Sequence, residues 1–260
     1  MAEKPYSESD SNLAPVRKTL AERDKELSLM QHLAELRNRL MVASAAVLIG
    51  TIIGFFFAKD IILALELPAH LEKPLQIISP TEGFTTYMRV ALFTGIALAM
   101  PVILYEIYAY VDPALRPGER RFILLLGPFI LALFVGGMAF CYFLLLPKAI
   151  EFLFTFGKDV FEASPRASEY VSFVTTFILG VGLVAEMPVI IFALTRIGLV
   201  SRNWLAKRRG YILIICFVVG AIITPTPDPF NQTLVSVPMY LLFELGLLLS
   251  RFGGGRRRAT

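Results

Sequence analysis

The stretch GLVAEMPVIIFALTR, residues 182–196, sets a carboxylate, Glu186, and a proline, Pro188, inside an otherwise apolar run. Its hydrophobic residues do not leave a polar face at helical or strand spacing, so the run does not read as one side of a soluble core. The rest of the chain repeats the pattern. Hydrophobic residues make up 56% of 260, mean hydropathy is +0.65, and the apolar residues gather in six blocks: Leu40–Ala58, Phe84–Val111, Phe122–Leu146, Tyr170–Leu194, Gly210–Thr224 and Leu234–Leu249. That is the composition of a polytopic membrane protein. With no water in the hydrocarbon region, each block must satisfy its own backbone groups, and runs of this length do so as helices; barrel strands would be shorter and would alternate. The expected fold class is an all-α membrane protein of six transmembrane helices. The last two blocks hold 15 and 16 residues, fewer than the ~20 that span a bilayer squarely, which predicts a locally thinned membrane beside both.

Cationic residues set the expected orientation. Assigned to alternating sides of six spans, nineteen lysines and arginines fall with the two termini and six fall opposite, an asymmetry that places both termini in the cytoplasm. The formal net charge of +4 then reflects membrane orientation and attraction to anionic lipid; no nucleic-acid module is implied. Residues 1–28 mix charges and lack the apolar core of a signal peptide, so they read as a disordered cytoplasmic tail. Residues 253–260 read as a flexible basic one. Cys141 and Cys216 lie in apolar blocks as small hydrophobes, and with only His32 and His70 as histidines there is no expected metal or cofactor. No HExxH, Walker or nucleophile-elbow pattern occurs, so hydrolytic chemistry is not expected.

Ahead of the first block, SLMQHLAELRNRL (residues 28–40) opens with Ser28 three residues before Gln31, a capping-box spacing that would start a helix there. On that helix His32, Glu35 and Arg39 share one face and Leu33, Leu36 and Leu40 another. Glu35 is either a solvated i,i+4 partner of Arg39 or a socket for an incoming guanidinium, since carboxylates accept strong bidentate bonds from arginine. Between the second and third blocks, YVDPALRPGERR (residues 110–121) builds a tight connection that lifts Glu119 beside Arg120 and Arg121. Glu119 is either neutralised by the cations around it or a second such socket.

The segments HLAELRNRL (32–40), PVILYEIYAYVDPALRPGERR (101–121), GLVAEMPV (182–189) and ITPTPDPFNQTLVSVPMYLLFELG (223–246) together resemble the TatC subunit of the twin-arginine protein translocase. The resemblance runs in order from about Leu29 to Phe252, so residues 29–252 form the expected six-helix membrane domain. It implies a receptor that exports folded proteins carrying paired-arginine signal peptides, works with the single-span partners TatA and TatB, self-associates in the receptor complex, and draws on the protonmotive force in the bacterial inner membrane. By the same resemblance, Glu35 and Glu119 fall on the acidic positions that read the arginine pair, and Arg37, Tyr110, Pro113, Leu115 and Arg120 fall on positions that shape the signal site. The sequence departs from the pattern of many members by carrying Tyr108 and Tyr110 where Trp and Phe stand.

Glu186 lies ~24 Å along the fourth helix from Tyr170 and ~12 Å before Leu194. A charge at such depth is retained mainly where it faces protein or water, and Pro188 removes the bond to the Val184 carbonyl. A polar notch is therefore expected. Its partner is either a residue of TatA or TatB, as the resemblance implies, or an intramembrane group of this chain, with Glu106, Arg89 and Glu244 as candidates. A proton relay is a further reading. Glu106 stands where the family more often has glutamine, and Glu244 reads as a buried hydrogen-bonding group or a partner contact. Pro101, Pro128, Pro188 and Pro238 are expected to interrupt four of the six helices and to curve the bundle. Asp228 is expected to cap the sixth helix, and IEFLFTFG (150–157) to lie on the membrane as a rim. The alternative function is an ion-coupled secondary transporter of a small solute, since broken helices and intramembrane carboxylates also mark carriers, although no repeated half is visible. An intramembrane enzyme lacks a nucleophile and base.

Overall fold

The computed structural model describes the backbone of residues 9–69, 75–111, 117–160, 165–224 and 228–253, and the side chains within those ranges except 9–29, 111, 117–125 and 252–253. The described residues fold as α1 (Ser9–Phe56), α2 (Ala58–Glu66), α3 (Glu82–Val111), α4 (Pro117–Phe140), α5 (Leu146–Thr155), α6 (Ala167–Val184), α7 (Met187–Ile197), α8 (Arg202–Lys207), α9 (Arg209–Ile223) and α10 (Pro229–Gly253). Among the described residues the regular structure is helical, apart from one isolated bridge between Gln76 and Arg166. Among the same residues, five segments are long and apolar enough to cross a membrane: Met30–Phe56, Glu82–Tyr110, Leu126–Thr155, Ala167–Ile197 and Pro229–Arg251. The shorter α9 completes six.

The expectation of two short spans holds for one. At 15 residues and ~1.5 Å rise, α9 reaches ~22 Å, short of a ~30 Å core. By contrast, α10 has 25 residues. The polar residues that lower its hydropathy are structural: Gln232 Nε2 donates to the Phe217 carbonyl (2.9 Å) and Ser236 Oγ to the Cys216 carbonyl (3.1 Å), both on α9. The drop in hydropathy at that end marks a helix contact, and the helix runs through it.

Ser28 does not start the first helix, which is helical from Ser9, so residues 9–28 of the expected disordered tail carry helical backbone. Strong helix formers such as Leu, Ala, Lys, Arg and Glu dominate there. Of the four prolines, only Pro188 sits at a break, in the first turn of α7; Pro101, Pro128 and Pro238 lie inside continuous α3, α4 and α10. Residues 150–155 do not form a separate surface rim. They belong to α5, which extends α4 through a π-turn at Cys141–Leu145. Pro147, just beyond that turn, lacks an N–H, so the wider turn loses no donor there.

The core centres on α6, whose Val171, Val174 and Phe177 are wholly buried and which packs against α3, α4 and α9. Helices in lipid gain little from hydrophobicity alone, so close backbone approach matters. It is tightest between α1 and α3, where a Cβ on Gly50 would stand 2.7 Å from the Gly95 carbonyl oxygen.

On the side bearing α2, the buried Glu82 carboxylate accepts bonds from the N–H of Ile78 (2.9 Å), Ser79 (3.2 Å) and Ser168 (3.1 Å) and from Arg166 Nε (2.9 Å). It ties the segment before α3 to the one before α6. Asp228 caps α10 as expected: its Oδ1 accepts from the Asn231 N–H at 2.7 Å and its Oδ2 from Asn231 Nδ2 at 3.0 Å. Asp228→Ala is expected to lower the unfolding free energy by about 1 kcal/mol, read from denaturation of the detergent-solubilised protein; an unchanged midpoint would mean that the cap is redundant.

Candidate functional site

Helical spacing puts His32, Glu35 and Arg39 on one face of α1, and that face meets the end of α3. Arg39 Nη1 donates to Glu106 Oε2 at 3.1 Å and its Nη2 to Glu35 Oε1 at 3.2 Å, so one guanidinium bridges two carboxylates from different helices. The His32 ring stacks on Tyr110 with centroids 4.5 Å apart and planes 20° from parallel. His32 Nδ1 stands 3.9 Å from Glu35 Oε2, beyond hydrogen-bond distance. Beside these groups is an open hollow of about 450 Å³ lined by Gln31, Ala34, Glu35, Asn38, Arg39, Val42 and Glu106.

The arrangement suits a cation. Glu35 and Glu106 bring two negative charges against one arginine, and Glu35 Oε2 makes no hydrogen bond to the described residues. Its side chain is 32% exposed, so an incoming donor can reach it.

Of the expected signal-site residues, the structure places Glu35 and Tyr110 each beside His32. Arg37 lies two residues from Glu35, hence on another face of α1, and is exposed. Pro113 and Leu115 lie outside the described residues. Glu119 and Arg120 fall in the first turn of α4, and their side chains also lie outside the described ones. Sequence reasoning did not foresee the bridging role of Arg39. Its signal was the spacing of Arg39 to Glu35, taken only as a surface pair, and the lone carboxylate Glu106 one turn from the end of α3. Nor was the Glu82 node foreseen.

Glu186 sits at the junction of α6 and α7, as the residue preceding α7. It is buried, and neither carboxylate oxygen has a hydrogen-bond partner among the described residues. None of its expected intrachain partners meets it. Arg89 donates to the Ser168 carbonyl at 3.1 Å, Glu106 holds Arg39, and Glu244 holds Arg209. The notch expected around it takes the form of a helix break flanked by a groove of about 510 Å³. The neighbouring Val184 and Ala185 line that groove together with Gly136 and Gly137 of α4 and Pro238 and Leu242 of α10. Close packing of α4 on α6 leaves no room at its floor, where a Cβ on Gly137 would collide with Ala185.

Glu244 is not a buried hydrogen-bonding group of the bundle interior. Its oxygens face the Arg209 guanidinium as a fork, at 2.7 Å to Nε and 3.0 Å to Nη2, and Tyr240 donates to Oε1 at 3.1 Å. Arg209 opens α9, so this pair joins two helices near their ends.

The profile of the family described as Sec-independent protein translocase protein (TatC) matches residues 31–238. The chain is 36% identical over 230 residues to the Sec-independent protein translocase protein TatC of Carboxydothermus hydrogenoformans, covering 88% of this chain and 95% of that one. It is 38% identical over 239 residues to the TatC of Escherichia coli K12, covering 88% and 91%. A crystal structure of a twin arginine translocase receptor, TatC, superposes with a TM-score of 0.78 at 35% identity, covering 85% of this chain and 99% of that one. The six-helix architecture agrees with these likenesses, and none of the likenesses supports the small-solute carrier. The chain belongs to the TatC family of Sec-independent protein translocase proteins.

Proposed function

We propose that the hollow at Glu35 receives one arginine of a paired-arginine signal peptide, with Glu119 taking the other, and that the protein thereby acts as the receptor that commits folded cargo to export. The observation that carries this reading is the uncommitted Oε2 of Glu35. An incoming guanidinium binds there with two parallel bonds by also taking Oε1, and Glu106 then retains the displaced Arg39 through the bond it already makes. Lysine cannot form that fork. Tyr110, stacked on His32, and Arg37, Pro113, Leu115 and Arg120 complete the signal site by family resemblance.

The single-span partners TatA and TatB dock in the groove beside Glu186, where a polar residue of the partner helix satisfies the buried carboxylate. An unpartnered acceptor beside an apolar, glycine-floored groove supports this assignment. The chain performs no covalent chemistry of its own; transport is driven by the protonmotive force, in a complex holding more than one copy of this chain. It lies in the bacterial inner membrane with both termini in the cytoplasm, and its basic side rests against anionic lipid.

The test is site-specific crosslinking of a signal peptide, comparing Arg-Arg with Lys-Lys signals on the native protein and on a Glu35→Ala, Glu119→Ala double variant. Each charge-assisted bond contributes about 1.5–3 kcal/mol, so labelling is expected to fall about tenfold or more with either change, and added salt should weaken it further. Equal labelling in all combinations would remove the socket.

A further inference from the structure

Away from the hollow and the groove, three arginines from three helices converge on a crevice of about 360 Å³: Arg202 of α8, Arg209 of α9 and Arg251 of α10. Among the described residues its only acid is Glu244, whose charge Arg209 cancels through the two bonds given above. Two positive charges remain. Arg202 is pinned by its Nε, which donates to the Leu247 carbonyl at 3.3 Å; its terminal nitrogens make no bond to the described residues. Arg251 makes no hydrogen bond or ion pair to them. The floor of the crevice is apolar and outward-facing, with Leu241 62%, Leu245 45% and Leu248 46% exposed. Its depth is fixed by Trp204, an exposed indole two residues from Arg202, which carries the Arg208 guanidinium 4.1 Å above its ring. Tryptophan takes up the level of the lipid headgroups.

Forked arginines over exposed leucines at headgroup depth match one ligand chemistry, a phosphate diester that continues into acyl chains. We propose that this crevice is a binding site for the headgroup of an anionic phospholipid, held by Arg202 and Arg251, with its chains along α10. The site rests on the reading that the basic side of the protein lies against anionic lipid, and it adds a defined position to that general attraction. Inorganic phosphate would satisfy the arginines but leave the leucines uncovered.

The assay is native mass spectrometry of the full-length protein in detergent with added phosphatidylglycerol or phosphatidylcholine, on the native chain, Arg251→Gln and the Arg202→Gln, Arg251→Gln pair. Arg251 has no partner among the described residues to lose, so its single variant retains the fold. The native protein is expected to favour phosphatidylglycerol, and each substitution to lower its occupancy about fivefold, while Lys148→Gln on the opposite side changes nothing. Unchanged preference in the paired variant would overturn the site while leaving the basic-side reading intact. No preference in the native protein would overturn both. Displacement of the lipid by millimolar glycerol phosphate would overturn the lipid in favour of a soluble phosphate ligand.

Discussion

Leucine in place of Gly95 is expected to disable the proposed signal site from about 16 Å away along α3, lowering signal-peptide crosslinking about tenfold and the unfolding midpoint by several degrees. The cause is steric. A Cβ at Gly95 would collide with the backbone and hydroxyl of Thr51 on α1, and the backbone cannot rotate away as a side-chain tip can. Overpacking of this kind costs about 1–3 kcal/mol. The consequence for recognition follows from the division of the site between the same two helices: Glu35 and Arg39 on α1, Glu106 and Tyr110 on α3. The 3.1 Å bond from Arg39 to Glu106, which crosses between them, does not survive a separation of an ångström or more. Gly127→Leu in α4, where no atom lies within 4 Å of the added Cβ, is the matched control and should leave both measurements unchanged. Full crosslinking in Gly95→Leu would mean that the site does not depend on the α1–α3 contact.

The second large effect has opposite signs in two assays. Glu186→Leu is expected to raise the stability of the isolated subunit and to abolish its association with single-span partner helices. A buried polar group without a hydrogen bond costs about 1–3 kcal/mol, and neither oxygen of Glu186 has a bond among the described residues. Leucine of similar volume removes that cost. The same substitution removes the acceptor that a partner helix would satisfy, so copurified TatA and TatB should fall to background while signal crosslinking at Glu35 persists. A lowered unfolding midpoint would show that Glu186 has a stabilising role inside the chain; retained partner binding would move the docking site elsewhere.

Much of this architecture was legible in the sequence because a bilayer is a severe filter. Each apolar block had to be a helix, and all six are. The break before Pro188 and the cap at Asp228 were legible because proline and aspartate act locally, through a missing donor and a short-range acceptor. What the sequence withheld depends on neighbours. The length of α10 was hidden because Gln232 and Ser236 look like a polar end until α9 carbonyls are placed beside them. Pro101, Pro128 and Pro238 looked like interruptions, yet their helices continue. At the site, Glu35 was identifiable, but the role of Glu106 was not: only the packing of α1 on α3 shows that a carboxylate 67 positions from Arg39 shares that arginine with Glu35. Glu82 was overlooked for the same reason, since its four donors come from two separate segments.

The bridging position of Arg39 bears on how firmly cargo is held. In the proposed socket a guanidinium of the protein already occupies half of Glu35, so arrival of a signal is an exchange of like for like, and the bonds formed nearly match the bonds given up. The equilibrium then reports a small difference between two arginines, one tethered and always near. Such a receptor discriminates sharply against a wrong cation, which cannot displace the incumbent, yet lets go of the right one quickly, because Arg39 stands ready to return.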